Sequence, residues 1–148
     1  MDSWNAIGLI LTFCATALAF WQAYKAKSYR DEIQSDRQKL ILIELMPIAK
    51  KARDECKKIT TPVNKPMRGV DSQKIVHEIR GLAEKLQEYS HRLSGEFEQK
   101  DIVEALKQNI TEYIDEKNQS ARYKIADKIY SSLNSIIESF STNIDKKV

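Results

Sequence analysis

The feature that most constrains this chain is an uncharged stretch near its start, WNAIGLILTFCATALAFWQAY, which covers residues 4–24. Charged residues make up 30% of the whole chain, so a run of this length without one is unlike the rest of it. At about 1.5 Å per residue, a helix over this stretch measures roughly 31 Å, close to the hydrocarbon thickness of a bilayer. The stretch therefore predicts one membrane-spanning helix.

The residues at the two ends of the stretch predict a retained and oriented span. Trp4, Trp21 and Tyr24 stand where amphipathic rings settle at the two headgroup layers. A cleavable export signal would carry positive charge before the apolar run, whereas the acidic Asp2 precedes this one, which favours a retained anchor. Three basic side chains follow directly, and such charges concentrate on the cytoplasmic side. We expect the N-terminus outside and the rest of the chain in the cytoplasm.

One side of the predicted span differs in chemistry from the other. At about 100° per residue, eight small or polar residues fall within about one third of the helix circumference. This small-residue face consists of Asn5, Gly8, Thr12, Ala15, Thr16, Ala19, Gln22 and Ala23. Small residues let helix backbones approach each other in a membrane, and hydroxyls and amides find partners there. The face predicts helix association or a pore, although Ala and Thr are common in any span and can segregate by chance.

The remaining chain predicts a helical stalk over residues 25–39 and a helical bundle over residues 40–148. The stalk holds charges of both signs and no helix-breaking residue. In the bundle, apolar residues recur at three- and four-residue steps in four segments, which are Ile41 to Ile59, Ile75 to Leu93, Phe97 to Ile114 and Ile125 to Phe140. The prediction is an all-α fold with an antiparallel cytoplasmic bundle, and a long helix pair exchanged between subunits fits the same pattern.

Several residues predict where these segments begin and end. Pro47 lies within the first segment and should kink the helix or start a new one. The stretch 60–70 contains two prolines and a glycine and predicts a loop. Asp71 or Ser72 is a good N-cap for the second segment, which should stop at Ser94-Gly95. The third segment fades over residues 117–120.

The chain lacks the patterns typical of enzymes and metal proteins. His77 and His91 are too far apart for a zinc-binding helix, and the four glycines are isolated, so no phosphate-binding glycine loop is present. Cys14 lies in the apolar stretch and Cys56 in the polar part, so we do not expect them to pair. We therefore predict no catalytic residue, no metal site, no cofactor and no enzymatic activity.

Two basic clusters are candidate ligand-binding sites. The first, in KKITTPVNKPMRG, consists of Lys57, Lys58, Lys65 and Arg68 and contains no acidic residue, so it is able to collect phosphate oxygens. The second consists of Arg122, Lys124 and Lys128 around Tyr123, an aromatic ring among cations of the kind found in single-strand binders. A solvated loop explains the first equally, and the outer face of a helix explains the second.

The layout of WNAIGLILTFCATALAFWQAYKAKSYRDEI, a short span running into a charged helix and then a small helical domain, resembles the compact membrane effectors of bacterial anti-phage systems that signal with nucleotides or oligonucleotides. It is most similar to the channel-forming effector of the Hailong type, and the resemblance covers these residues and the helical plan. It implies a homo-oligomer in the bacterial inner membrane and a nucleotidyltransferase partner in the same system. The cytoplasmic domain would sense a nucleotide or single-stranded oligonucleotide, and the spans would open a path for ions.

Two functions from different classes follow from these features. In the first, the protein is an oligomeric membrane effector, the small-residue face lines its pore, and a basic cluster binds the ligand that gates it. In the second, the span only tethers a helical adaptor, whose apolar faces recruit a cytoplasmic protein. A membrane-disrupting lysis protein is a third hypothesis, against which the sizeable cytoplasmic part argues.

Overall fold

The computed structural model describes residues 3–60, 69–90, 92–93 and 100–145, with side chains from residue 7 onward. Those residues form four helices and no strand, which confirms the all-α prediction. The helices are α1 (Ser3–Thr60), α2 (Ser72–Ser90), α3 (Lys100–Asp115) and α4 (Gln119–Asp145). The chain divides into two units, residues 1–37 and residues 38–148, and α1 contributes to both.

The second unit is a helical bundle with an entirely apolar interior. The apolar spacing predicted the buried face of each helix, and these faces meet in one core. Its buried members are Leu42, Leu45, Ala49, Ala52, Cys56, Ile59, Ile75, Val76, Ile79, Leu82, Ala83, Leu86, Leu93, Val103, Leu106, Ile110, Tyr113, Ala126, Ile129, Leu133, Ile136 and Phe140. No charged side chain is buried among the described residues. Burial of this apolar surface is the main force that holds the bundle together.

Contacts between the helices give their directions. The Ser72 side chain, at the start of α2, lines the same cleft as the Tyr113 phenol near the end of α3. Toward the other end of this pair, the Lys107 ammonium donates to the side-chain oxygen of Gln87. The two helices are therefore antiparallel. Residues 116–118 link α3 to α4, a connection short enough to make these two helices antiparallel neighbours as well.

The first helix enters the same bundle through its C-terminal part. The Cys56 thiol lies 3.8 Å from the carbonyl oxygen of Ala126, which places the end of α1 beside the start of α4. The Gln38 amide lies 3.4 Å from the carbonyl oxygen of Arg92, just beyond α2. These contacts complete an up-and-down arrangement of four helices within one chain.

Pro47 lies inside α1, and the helix neither ends nor restarts there. Proline has no N–H, so it removes the hydrogen bond to the carbonyl of Ile43, four residues earlier. Pro47 and Ile43 are both exposed, so this carbonyl faces away from the core and needs no protein donor. The expectation that a new helix starts at Pro47 is therefore wrong.

The structure also locates the ends of α2. The Asp71 carboxylate accepts hydrogen bonds from the backbone N–H groups of Gln73 and Lys74, at 3.1 and 3.2 Å, which confirms Asp71 as the N-cap. The helix ends at Ser90, earlier than the apolar pattern predicted. Leu93 still reaches the core because its N–H bonds the carbonyl of Tyr89 in a turn. Ser94, Gly95 and Phe97 lie outside the described residues.

Candidate functional site

The small-residue face of α1 is uncovered along its described length. Every described member is exposed: Gly8, Thr12, Ala15, Thr16, Ala19, Gln22 and Ala23. The side chain of Asn5 lies outside the described residues. A Cβ atom added at Gly8 would meet nothing within 4 Å, so packing within one chain does not require glycine there.

The two threonines on this face bond their own helix. The Thr12 hydroxyl donates to the carbonyl oxygen of Gly8, and the Thr16 hydroxyl donates to that of Thr12, both at 2.8 Å. Each hydroxyl hydrogen is thus satisfied without a second helix, and the hydroxyl oxygen keeps lone pairs for a further donor. The face consequently presents the hydroxyl oxygens of Thr12 and Thr16 as hydrogen-bond acceptors, and burial of this face leaves no hydroxyl hydrogen of these two residues without a partner.

The rest of the helix circumference in the same segment is bulky and equally exposed. Leu9, Phe13 and Phe20 are each more than 70% exposed, and from Ile7 onward no residue of the apolar stretch is buried by the chain. A core helix would be mostly buried, whereas this segment is not packed into any core within the single chain. At its far end, the Lys25 ammonium lies 5.1 Å from the centroid of the Trp21 ring. Among the described residues, α1 is the one helix long and apolar enough to cross a membrane.

The described part of the first basic cluster is partly neutralised by an acidic neighbour. The Lys58 ammonium donates to the Glu55 carboxylate at 2.6 Å, one helical turn earlier. Lys57 is exposed at the end of α1. Lys65 and Arg68 lie outside the described residues. The described half of this cluster therefore lies at the end of α1, where the Glu55 carboxylate offsets the charge of Lys58.

The structure separates the members of the second basic cluster. Lys124 and Lys128, one helical turn apart, are exposed on the outer side of α4. Arg122 is partly buried, and at about 100° per residue it lies nearly opposite Lys124 around the helix. Arg122 lines a cleft that neither lysine reaches.

The cleft lined by Arg122 joins three helices of the bundle and has a volume of about 180 Å³. Its polar lining comes from Ser72, Gln73, His77 and Arg80 of α2 and from Arg122 of α4, while Tyr113 and Ile114 of α3 supply a wall. We call this site the arginine cleft. No acidic side chain lines it.

The local fold explains why these side chains meet. Gln73, His77 and Arg80 lie at positions i, i+4 and i+7, so they form one row along α2. Because α2 and α3 are antiparallel, the first turns of α2 lie beside the last turn of α3, which carries Tyr113. The short link between α3 and α4 then brings Arg122 to the same place.

Arg122 is held by contacts that leave part of its guanidinium available. Its Nε donates to the carbonyl oxygen of Glu116 at 2.6 Å, and its Cζ lies 5.5 Å from the centroid of the Tyr113 ring. The backbone beneath it is fixed by Asn118, whose side-chain oxygen accepts from Ser120 N–H at 2.9 Å and so caps α4. An arginine positioned in this way loses little side-chain entropy when it binds an anion.

Tyr113 supplies a neutral wall to the cleft. Burial raises the pKa of its phenol, while the hydrogen bond with Ser72 and the positive charge of Arg122 lower that pKa by less. The phenol therefore stays uncharged at physiological pH, and it does not neutralise the arginine that lies over its ring.

Of the residues that line this cleft, the sequence predicts Arg122 as a candidate and does not predict Arg80, His77 or Gln73 as ligand-binding residues. The row on α2 is visible on a helical wheel, but only the antiparallel packing of α2 on α3 places it beside Arg122. Among the described residues, no group of three or more His, Cys, Asp or Glu side chains is arranged to hold a metal ion. No protein-family model, curated protein or solved structure matches this chain.

Proposed function

We propose that this protein is a non-enzymatic membrane effector that self-associates through the small-residue face of α1, forms an ion-conducting pore and is gated by a nucleotide-type ligand bound to its helical bundle. The observation that carries the proposal is the two-sided apolar segment of α1, which is exposed from Ile7 onward. The proposal places this segment in the inner membrane, with the N-terminus outside and the bundle in the cytoplasm.

The bulky side chains support insertion into a bilayer. Eight large apolar residues between Ile7 and Trp21 are more than half exposed. Burial of each such side chain stabilises by about 1.5–3 kcal/mol, so their exposure to water would cost on the order of 10 kcal/mol. Lipid removes that cost without a partner protein. The cation–π contact between Lys25 and Trp21 suits the headgroup layer at the cytoplasmic end.

The small-residue face supports association of several copies within the bilayer. Hydrophobic attraction is absent between helices in lipid, so close backbone approach and polar contacts drive their packing. Gly8, Ala15 and Ala19 permit that approach, and the free lone pairs of Thr12 and Thr16 accept hydrogen bonds from water or from a neighbouring helix. A ring of such helices would place these oxygens along a path for ions.

Gating requires a ligand that binds one conformation more tightly than the other. The bundle offers cationic side chains for an anionic ligand, and α1 is covalently part of both units. These features support control of the span by a nucleotide.

Replacement of Thr12 and Thr16 by leucine tests the pore. We expect the double variant to insert normally, because leucine is more apolar, and to lose ion flux from loaded vesicles and toxicity on expression. The matched control is Phe13→Leu with Phe20→Leu on the bulky side, which should conduct like the wild type. Unchanged flux in the threonine variant would contradict the pore.

An anchored adaptor is the second candidate, and an exposed apolar pair on the bundle favours it. Leu40 and Ile43 of α1 are 66% and 49% exposed, and they lie one helical turn apart on the outer side of the bundle. A partner helix would cover them. Replacement of residues 4–24 by an unrelated span separates the two functions, since an adaptor keeps its activity with any span and the pore does not.

A further inference from the structure

We propose that the arginine cleft binds the phosphate group of a soluble, nucleotide-type phosphate ester, with Arg80 and Arg122 as its charged ligands. The nucleotide class rests on the proposed function. The position of the site and its preference for phosphate rest on the geometry of the bundle alone.

The charge distribution of the cleft suits an anion. Arg80 and Arg122 line it together with His77, and no carboxylate lines it. Neither arginine forms an ion pair with any residue in the described part of the chain. Two guanidinium groups without an ion pair thus line one cavity, and a bound phosphate would accept charge-assisted hydrogen bonds from both.

The neutral lining supplies further donors around the same space. The Gln73 amide and the His77 ring are able to donate hydrogen bonds to phosphate oxygens, and both are exposed at the cleft. Tyr113 holds Arg122 in place through its ring. Asp71, just before α2, uses its carboxylate to cap the helix, and neither Asp71 nor Glu78 of α2 lines the cavity.

The size of the cleft decides which part of a ligand enters it. Its volume of about 180 Å³ is below the roughly 300 Å³ at which pockets enclose a whole drug-sized ligand. A phosphate group fits within it, and the sugar and base it carries would remain at the rim. Ile114 lines the cleft and is 47% exposed, so it offers an apolar surface against which the base of the ligand is able to pack.

Calorimetric titration of the full chain in maltoside micelles, which contain no phosphate, tests the site. The probes are AMP, inorganic phosphate and adenosine. We expect saturable binding of AMP, weaker binding of inorganic phosphate and none of adenosine. Adenosine that binds as tightly as AMP, or AMP that does not bind, would overturn the proposal.

Substitutions locate the binding in the cleft. Arg80→Gln, at an exposed position that should not affect folding, is expected to weaken AMP binding by roughly 10-fold or more, the usual weight of a charge-assisted bond. Arg122→Gln should do the same, with circular dichroism as its folding check. Lys124→Gln with Lys128→Gln removes two charges from the outer side of α4 and should leave the affinity within about 2-fold. An equal loss in the lysine variant would place the anion outside the cleft.

A lipid headgroup could supply the same phosphate chemistry, and a second arm distinguishes this source. The AMP titration is repeated in phosphatidylglycerol nanodiscs, where a soluble ligand should keep its affinity. If AMP binds through Arg80 in micelles but no longer binds in these nanodiscs, the lipid phosphate occupies the cleft. That result would overturn the proposal that a nucleotide is its ligand. Neither arm measures ion flux, so failure of the cleft and failure of the pore are separate results.

Discussion

Cys56 is a buried side chain whose ionisation its surroundings oppose. It is fully buried between α1 and α4, and its thiol points to the carbonyl oxygen of Ala126. Burial raises the pKa of this thiol from 9.0 to about 12, and the nearby Asp127 carboxylate adds to the shift. Because the thiolate is the reactive form, Cys56 should be inert in the folded protein.

The raised pKa of Cys56 predicts a loss of stability at alkaline pH. The unfolded thiol ionises near pH 9.0 and the folded thiol near pH 12. Ionisation therefore stabilises the unfolded state relative to the folded state as pH rises between these values. At about 1.4 kcal/mol per unit of pH, the wild type should lose about 2 kcal/mol by a pH near 10.5. Cys56→Ser has no thiol to ionise, so its free energy of unfolding should fall by about 2 kcal/mol less than that of the wild type over the same pH range.

Urea unfolding of both proteins at neutral pH and at about pH 10.5 measures this difference, since lysines and tyrosines titrate equally in the two. Parallel pH profiles would show that Cys56 is not buried in the folded bundle.

At the same scale, sequence could show which residues are cationic but not which of them meet. Arg122 and Lys124 are two positions apart, yet only Arg122 reaches the cleft. Arg80 was not predicted, because its relation to Arg122 depends on contacts across forty-two residues of sequence. Local charge patterns predict a basic helix face, and only tertiary packing makes it a site.

Helix α2 depends on its first turn, where one carboxylate satisfies two backbone donors. Asp71→Ala removes both hydrogen bonds, which should lower the free energy of unfolding by about 1 kcal/mol. Glu88→Ala is the control, because Glu88 is an exposed residue in the same helix with no hydrogen bond to another described residue.

The urea midpoints of the two variants measure the effect of the cap. Asp71→Ala should unfold at a clearly lower concentration and Glu88→Ala close to the wild type. Equal midpoints would contradict the capping role of Asp71.

At the scale of elements, the sequence predicted most of the fold for a physical reason. Leu45, Cys56, Ile79 and Ile129 recur at helical spacing because each helix buries one face, so periodicity reveals burial directly. The prediction that a new helix could start at Pro47 is wrong, because there a single residue competes with that pattern. α1 continues through Pro47 because this side of the helix is exposed. The neighbouring sequence alone does not show that exposure.

At the scale of the whole molecule, one chain contains two units with different requirements. The bundle buries its own core, whereas the segment before it exposes bulky side chains on one side and small ones on the other. The proposed function places the first side against lipid and the second against another copy or water. The central claim is therefore that copies of the chain meet along the small-residue face of α1.

Cysteine cross-linking in native membranes tests this claim most directly. Cys14 is exposed on the bulky side, about 140° around the helix from Ala19, and buried Cys56 does not interfere. Under mild oxidation, Ala19→Cys in a Cys14→Ser background should form a disulfide-linked dimer of twice the 17.1 kDa chain. The wild type, with Cys14 alone available, should not. Dimers through Cys14, or none through Ala19→Cys, would contradict the account.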